Sequence, residues 1–295
     1  MGAGPGPPLV HLTGEMEYQK KRDIIEIGRR LHRKGFVASN DGNISIRVSD
    51  HEILATATGV SKGYLTTDDV VVVDPLGRKL SGSGEPSSEL KMHLVIYEKR
   101  PDVKAVVHAH PPVATGFAVA GIPLAQCILP EVVVSLGAVP VAEYATPSTF
   151  EVCDTILPHI QNAEAFLLAN HGAVTMGEDV FQAYYRMETV EHFAKILLTA
   201  KLLGRVNVLT PAQVEKLVEL RKKSGVTRRL PSCQTCGYCG PTGQPPGVIR
   251  TTGRPAGDTP GAAKPTAVAG QDPTPDDKRL SDIITAVIKD MTQEG

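Results

Sequence analysis

Apolar residues recur every three to four positions between residues 15 and 35, with Ile24, Ile27 and Leu31 on one stripe. That period predicts an amphipathic helix, and Gly35 supplies its stop. The period then shortens. Ile44–Val48, Ile53–Ala57 and Val70–Val73 are β-branched runs separated by turn residues such as Asp41-Gly42 and Pro75-Leu76-Gly77, so they predict short strands joined by hairpins. Helical spacing returns over Ser87–Lys99 and ends before Pro101. Lys104–His110 predicts a buried strand that Pro111-Pro112 stops. Val139–Val141 and Ala165–Leu168 predict two more strands. Long helices are expected over Val180–Leu203 and over Pro211–Lys223, the second with proline in its first turn. Strands mixed with helices, hairpin-like early in the chain, predict an α/β fold in which helices cover a mixed sheet.

The pattern breaks near Arg229. Residues 230–275 are rich in Pro, Gly, Thr and Ala and almost empty of large apolar residues. Such a segment buries too little surface to offset its ordering entropy, and it predicts a linker. Periodicity resumes in the last twenty residues, where Leu280, Ile283, Ile284, Val287, Ile288 and Met291 fall at helical spacing. A short amphipathic helix on a tether has no core of its own to cover, so it is expected to dock on something else. Four segments result: a flexible N-terminus (1–14), a globular domain (15–229), the linker (230–275) and the terminal helix (276–295).

Charge and composition narrow the class. With 31 basic against 32 acidic residues, nothing favours nucleic acid or an anionic membrane surface. No apolar run approaches the ~20 residues needed to span a bilayer, and the N-terminus lacks the basic start and apolar stretch of a secretory signal. Five cysteines, three of them in one short stretch, do not suit a secreted disulfide framework. A cytoplasmic protein without nucleic-acid or membrane partners is expected.

The candidate chemistry is concentrated in a few residues. His108 and His110 form an H-x-H at the end of an apolar strand, which sends both imidazoles to one side. His171 ends a second apolar run. Three imidazoles make a site for a zinc-like ion with a fourth position open to substrate. Glu89 follows Ser87-Ser88 at the start of a helix, where free N–H groups and the helix dipole favour an anion. The segments DGNIS, with Gly42 and Asn43, and ATGVSKG, with Thr58 and Gly59, are Gly-containing polar loops of the kind that approach an oxyanion. Each loop alone is also an ordinary hairpin turn. His93 lies one helical turn after Glu89 and competes as a ligand, and Glu131 either pairs structurally or lines the site. Cys233, Cys236 and Cys239 form C-x2-C-x2-C, whose thiolates suit zinc, part of an iron–sulfur cluster or redox chemistry, or are a fortuitous cluster.

Taken in order, DGNISIRV, TATGVSKGYL, PSSELKMHLVIYEKRPDVKAVVHAHP, EYATPST and ANHGAV resemble the class II aldolase/adducin family over about residues 18–225, most closely its L-fuculose-1-phosphate aldolase branch. The resemblance implies a three-layer αβα sandwich with a central mixed, largely antiparallel sheet, assembled as a homotetramer. It implies one Zn2+ per subunit on His108, His110 and His171, with Glu89 as catalytic acid/base. It also implies that Asn43, Thr58, Gly59, Ser87 and Ser88 hold a substrate phosphate. The activity implied is cleavage of a ketose 1-phosphate to dihydroxyacetone phosphate and an aldehyde such as lactaldehyde, through a metal-stabilised enediolate. Burial is expected to raise the Glu89 pKa for that role. The chain departs from the family pattern where a C-terminal tyrosine normally acts as distal acid, since the linker takes that place, and Tyr144 is not assigned the role. The segment after Pro123 also differs. Sugar-phosphate 4-epimerases usually carry Asp at the position of Glu89, methylthioribulose-1-phosphate dehydratases share the histidines and a glutamate, and adducin-like modules usually lose the histidines. The linker and terminal helix resemble encapsulation peptides that bind a bacterial microcompartment shell, against the alternative of a helix docking on the protein itself.

Overall fold

A computed structural model of the protein describes residues 14–223. The expected domain end at Arg229, the linker with Cys233, Cys236 and Cys239, and the helix at 276–295 lie outside the described residues, as do residues 1–13. The first helix, α1 (Gly14–Arg33), buries Ile24, Ile25, Ile27 and Leu31 along the predicted stripe. Glu15 and Glu17 in its first turn and Arg30 and Arg33 in its last oppose the helix dipole. The chain then turns into β1 (Asn43–Arg47), β2 (Ile53–Thr56), β3 (Val70–Val73) and β4 (Lys79–Ser81), an antiparallel meander.

Next come α2 (Leu90–Lys99), β5 (Ala105–Ala109), α3 (Pro112–Val119), α4 (Pro130–Ser135), β6 (Val141–Ala142) and α5 (Glu151–Ile160). The hairpin of β7 (Ala165–Leu168) and β8 (Gly172–Gly177) precedes α6 (Val180–Leu202) and α7 (Pro211–Lys223). The strands form one sheet in the order β4-β3-β2-β1-β5-β8-β7-β6. Every pairing is antiparallel except β6 with β7. This is the expected mixed, largely antiparallel sheet.

Alternation along the strands sorts the core into two layers. Ala105, Val107 and Ala109 of β5, with Ile44 and Ile46 of β1, pack under α1, α3 and α6. Val106, Val174 and Met176 pack under α2 and α5. Period two therefore turns His108 to the α2 side, and it turns Asn43 and Ser45 the same way. The α2 helix answers with a polar stripe: Ser45 Oγ lies 2.7 Å from His93 Nδ1 and 2.7 Å from the Tyr97 hydroxyl. At the far end of the sheet, buried Glu164 is paired with Arg100 at 3.1 Å and Arg186 at 2.7 Å. Among the described residues no helix is long and apolar enough to cross a membrane.

Several elements were not predictable from periodicity. β8 lies between β5 and β7 at the centre of the sheet, but its sequence GAVTMG interrupts the apolar residues with Gly and Thr. α5 carries Pro158 inside it, α3 begins on Pro112 and contains Gly116, and α4 is only six residues long. Val139 forms only an isolated bridge with Leu124, and the strand lies at Val141–Ala142 instead of the expected Val139–Val141.

The closest packing of α1 is against the turn that carries Lys62. A Cβ on Gly28 would stand 2.5 Å from the Lys62 carbonyl oxygen and 2.8 Å from Leu65 Cδ1. Helix propensity alone favours alanine over glycine by about 1 kcal/mol, whereas overpacking against a backbone atom costs about 1–3 kcal/mol. Gly28→Ala is expected to lower the urea midpoint, because the clash exceeds the propensity gain; an unchanged or raised midpoint contradicts this packing.

Candidate functional site

Three backbone positions bring the histidines together. His108 sits in β5, opposite Asn43 on one neighbouring strand and Val174 on the other. His110 follows the strand by one residue, and His171 stands in the β7–β8 turn, where Asn170 adopts φ +57°. The ring centroids are 5.0, 4.7 and 4.9 Å apart, and one nitrogen from each ring lies within 4.8 Å of the others. Gly172 makes the approach feasible. A Cβ there would fall 2.5 Å from His110 Cδ2 and 2.6 Å from the Ala109 carbonyl oxygen. Beyond His110, buried Glu191 of α6 accepts the N–H groups of Val113 and Ala114 at 3.1 and 2.8 Å, which fixes the start of α3.

Hydrogen bonds set the tautomers. His108 Nδ1 lies 3.0 Å from the Ala173 carbonyl; a carbonyl only accepts, so Nδ1 carries the proton and Nε2 faces the site as a lone pair. Burial drives the His108 imidazole down to about 3, so it is neutral. His110 Nδ1 lies 3.4 Å from an Asp41 carboxylate oxygen, which favours the same tautomer, and burial lowers its pKa as well. The two Nε2 atoms then face each other at 3.2 Å. Opposed lone pairs repel, and a shared cation relieves that repulsion. The three-imidazole set fits a divalent ion such as zinc.

Glu89 occupies the position before α2 and reaches into the same space. One carboxylate oxygen accepts the Asn43 amide N–H at 2.8 Å and lies 3.5 Å from His108 Nε2. The other lies 3.2 Å from His171 Nε2. Its pKa is lowered, against the expected rise. Burial does push the carboxyl up, but Glu89 titrates together with the imidazoles of His108, His171 and His110, and that coupling lowers it overall. Glu89 is a carboxylate, poised to accept a proton.

Two of the loops expected to hold phosphate are joined by backbone contacts. An isolated antiparallel bridge between Ala57 and Pro86, with the Thr58 N–H donated to the Glu85 carbonyl at 2.8 Å, ties the Thr58-Gly59 loop to the segment that leads into Ser87-Ser88. Asn43 differs: it is buried, and its amide N–H goes to Glu89. Of the other candidates, His93 lies outside the cluster, bonded to Ser45. Glu131 is exposed in the first turn of α4, and Tyr144 is 62% exposed after β6.

Three contributors escaped sequence reasoning. Asp41 orients His110. Ser148, at φ +67°, places its hydroxyl 2.7 Å from that of Ser88. Lys62 is buried under the Thr58 loop. All three lie in motifs that carry other named residues, and only folding shows which side chain of a motif points inward.

The chain is similar to known proteins over most of the described residues. Residues 22–198 match the family model described as the class II aldolase and adducin N-terminal domain. The chain is 32% identical over 211 residues to 3-oxo-tetronate 4-phosphate decarboxylase of Haemophilus influenzae, a match covering 67% of this chain and 95% of that protein. It is 33% identical over 174 residues to L-fuculose phosphate aldolase of Methanococcus maripaludis, covering 59% and 93%. A solved structure of L-fuculose 1-phosphate aldolase superposes with a TM-score of 0.65 at 32% identity, covering 69% of this chain and 96% of that one.

The buried imidazoles make stability depend on pH. Burial lowers His93 from 6.5 to about 4 and His108 from 6.5 to about 3. The unfolded chain binds a proton at each near 6.5, whereas the folded chain stays neutral there. Stability is therefore full above that pH and falls as the pH drops towards 4. For metal-stripped protein the urea midpoint should decline over this interval, and His93→Gln should make the decline shallower. A midpoint independent of pH across the interval counts against neutral burial.

Proposed function

The chain belongs to the class II aldolase and adducin family, and from that premise we propose that it cleaves a ketose 1-phosphate to dihydroxyacetone phosphate and an aldehyde. The observation that carries the proposal is the Glu89 carboxylate, set 3.2 and 3.5 Å from two imidazoles of the three-histidine cluster. His108, His110 and His171 would hold the ion, zinc by the chemistry of the donor set. When bound, it would supply Lewis-acid stabilisation of negative charge developing on a ketone oxygen.

The residues of the chain do the rest. Thr58, Gly59, Ser87 and Ser88 hold the phosphate and so fix the ketose by its far end. Asn43 pins the Glu89 carboxylate through its amide, which leaves the other oxygen to serve the reacting carbon. Breaking the bond two carbons beyond the phosphate-bearing carbon leaves the enediolate of dihydroxyacetone phosphate. Glu89 exchanges the proton at that carbon. Glu89 is ionised at neutral pH, so it begins as the base, taking the proton when the reaction runs towards condensation. The same membership leads us to propose a homotetramer, and the pattern of residues 276–295 leads us to propose docking on a microcompartment shell.

Decarboxylation is the second reading, and two observations favour it. The decarboxylase relative matches a larger share of the chain, 67% against 59%. A retro-aldol step also needs a group to take the hydroxyl proton on the departing aldehyde carbon, and the tyrosine beside the site segment, Tyr144, is 62% exposed. Loss of CO2 from a 3-oxo acid needs no such group. The chemistry from the break onward is shared, because 3-oxo-tetronate 4-phosphate minus CO2 leaves the same enediolate.

The two readings differ only in the co-product. Zinc-loaded protein is supplied with L-fuculose, L-rhamnulose and L-ribulose 1-phosphates and with 3-oxo-tetronate 4-phosphate. We expect dihydroxyacetone phosphate and an aldehyde from a ketose 1-phosphate, and Glu89→Gln should lower kcat by about 10²-fold or more. Release of CO2 from the sugar acid alone establishes the second reading, and no triose phosphate from any of the four sinks both.

A further inference from the structure

Lys62 is 1% exposed, and lysine is almost never buried so fully without a partner of opposite charge. Its Nζ donates to the carbonyl oxygens of Asn40 at 2.9 Å and Val60 at 2.7 Å. Among the described residues no carboxylate lies within 4.0 Å of it. Carbonyls solvate an ammonium without neutralising it. Burying one on such ligands is costly, where a methionine of similar length would pack without that penalty. Burial lowers its pKa to about 8, with Asp41 and Glu89 acting on it from a distance, so it remains a cation at neutral pH.

The two carbonyls belong to the two loops that frame the site. Asn40 precedes Asp41, which orients His110, and Asn43, which orients Glu89. Val60 follows Thr58-Gly59. The backbone of Lys62 is itself fixed, since its carbonyl packs against Gly28 of α1 at a distance that admits no Cβ. The ammonium thus joins both loops from below and leaves one positive charge beneath them.

We propose that Lys62 is a positioning residue for the substrate phosphate, tying the 40–43 turn to the Thr58-Gly59 loop and supplying the buried positive charge that a phosphate dianion on that loop requires. This rests on the phosphate assignment made above. It explains why a cation is kept where an apolar side chain would stabilise the fold more. It also divides the labour within the site: histidines and Glu89 serve the reacting carbons, and Lys62 serves the other end of the substrate.

The test uses the full chain loaded with zinc. Lys62→Met removes the charge at constant length, and Lys62→Gln keeps a donor for a carbonyl while removing the charge, so it serves if the Met variant does not fold. Inorganic phosphate and dihydroxyacetone phosphate are titrated calorimetrically, and KM and kcat are measured for the phosphorylated ketose and for the same sugar without phosphate. Both anions should bind at least about tenfold more weakly. The loss should fall mainly on KM and be larger for the phosphorylated substrate. Unchanged anion affinity in a folded variant overturns the proposal, as does an equal loss on both sugars, which would mark Lys62 as purely structural. A wild-type protein that binds neither anion overturns the phosphate assignment itself, and the role of Lys62 with it.

Discussion

The register that pairs β5 between β1 and β8 is the constraint on which the rest depends. It sets His108 opposite Asn43 and Val174 and turns all three towards α2. A slip of one residue would send His108 into the apolar layer under α1 and α6 and bring Val107 into the site. The alternation of β5 opposes that slip, because Ala105, Val107 and Ala109 are all fully buried on the first face. Hydrophobic burial thus fixes the orientation of a residue that contributes nothing to it. The Ala173 carbonyl, supplied by the same pairing, then fixes the His108 tautomer.

Around that register the chain accepts costs that only function explains. Two imidazole nitrogens oppose each other at 3.2 Å, and Lys62 is buried on carbonyls. Ser148 holds a left-handed backbone that glycine would take without strain. The large two-layer core offsets these terms. Catalytic sites commonly draw on the stability of their scaffold in this way, and here the debits cluster within the few residues that line one end of the sheet.

Much of this was legible in the residues. The strands whose apolar runs are continuous, Val70–Val73 and Ala165–Leu168, emerge with the same bounds in the structure, because burial on both faces leaves no polar position to blur them. The H-x-H was equally plain, since strand period is a local rule, while the helix expected over Ser87–Lys99 begins only at Leu90. β8 was hidden because Gly172 and Gly177, which permit close approach at its two ends, also erase the apolar pattern. The pKa of Glu89 was misjudged because burial was weighed without the imidazoles that surround it, and those stand nineteen and more residues away in sequence. Lys62 was overlooked since nothing in VSKGY marks a lysine for the interior. Its burial follows from where α1 lies, a tertiary fact.

The central claim is that His108, His110 and His171 hold a metal ion beside Glu89, and X-ray absorption at the zinc edge on stoichiometrically loaded protein tests it most directly. Three imidazoles predict a first shell dominated by nitrogen at about 2.0–2.1 Å, with the outer-ring scattering of histidine. A shell dominated by sulfur at about 2.3 Å would put the metal on cysteines instead of the histidine cluster. That result, or a failure to bind zinc stoichiometrically at all, would contradict the account.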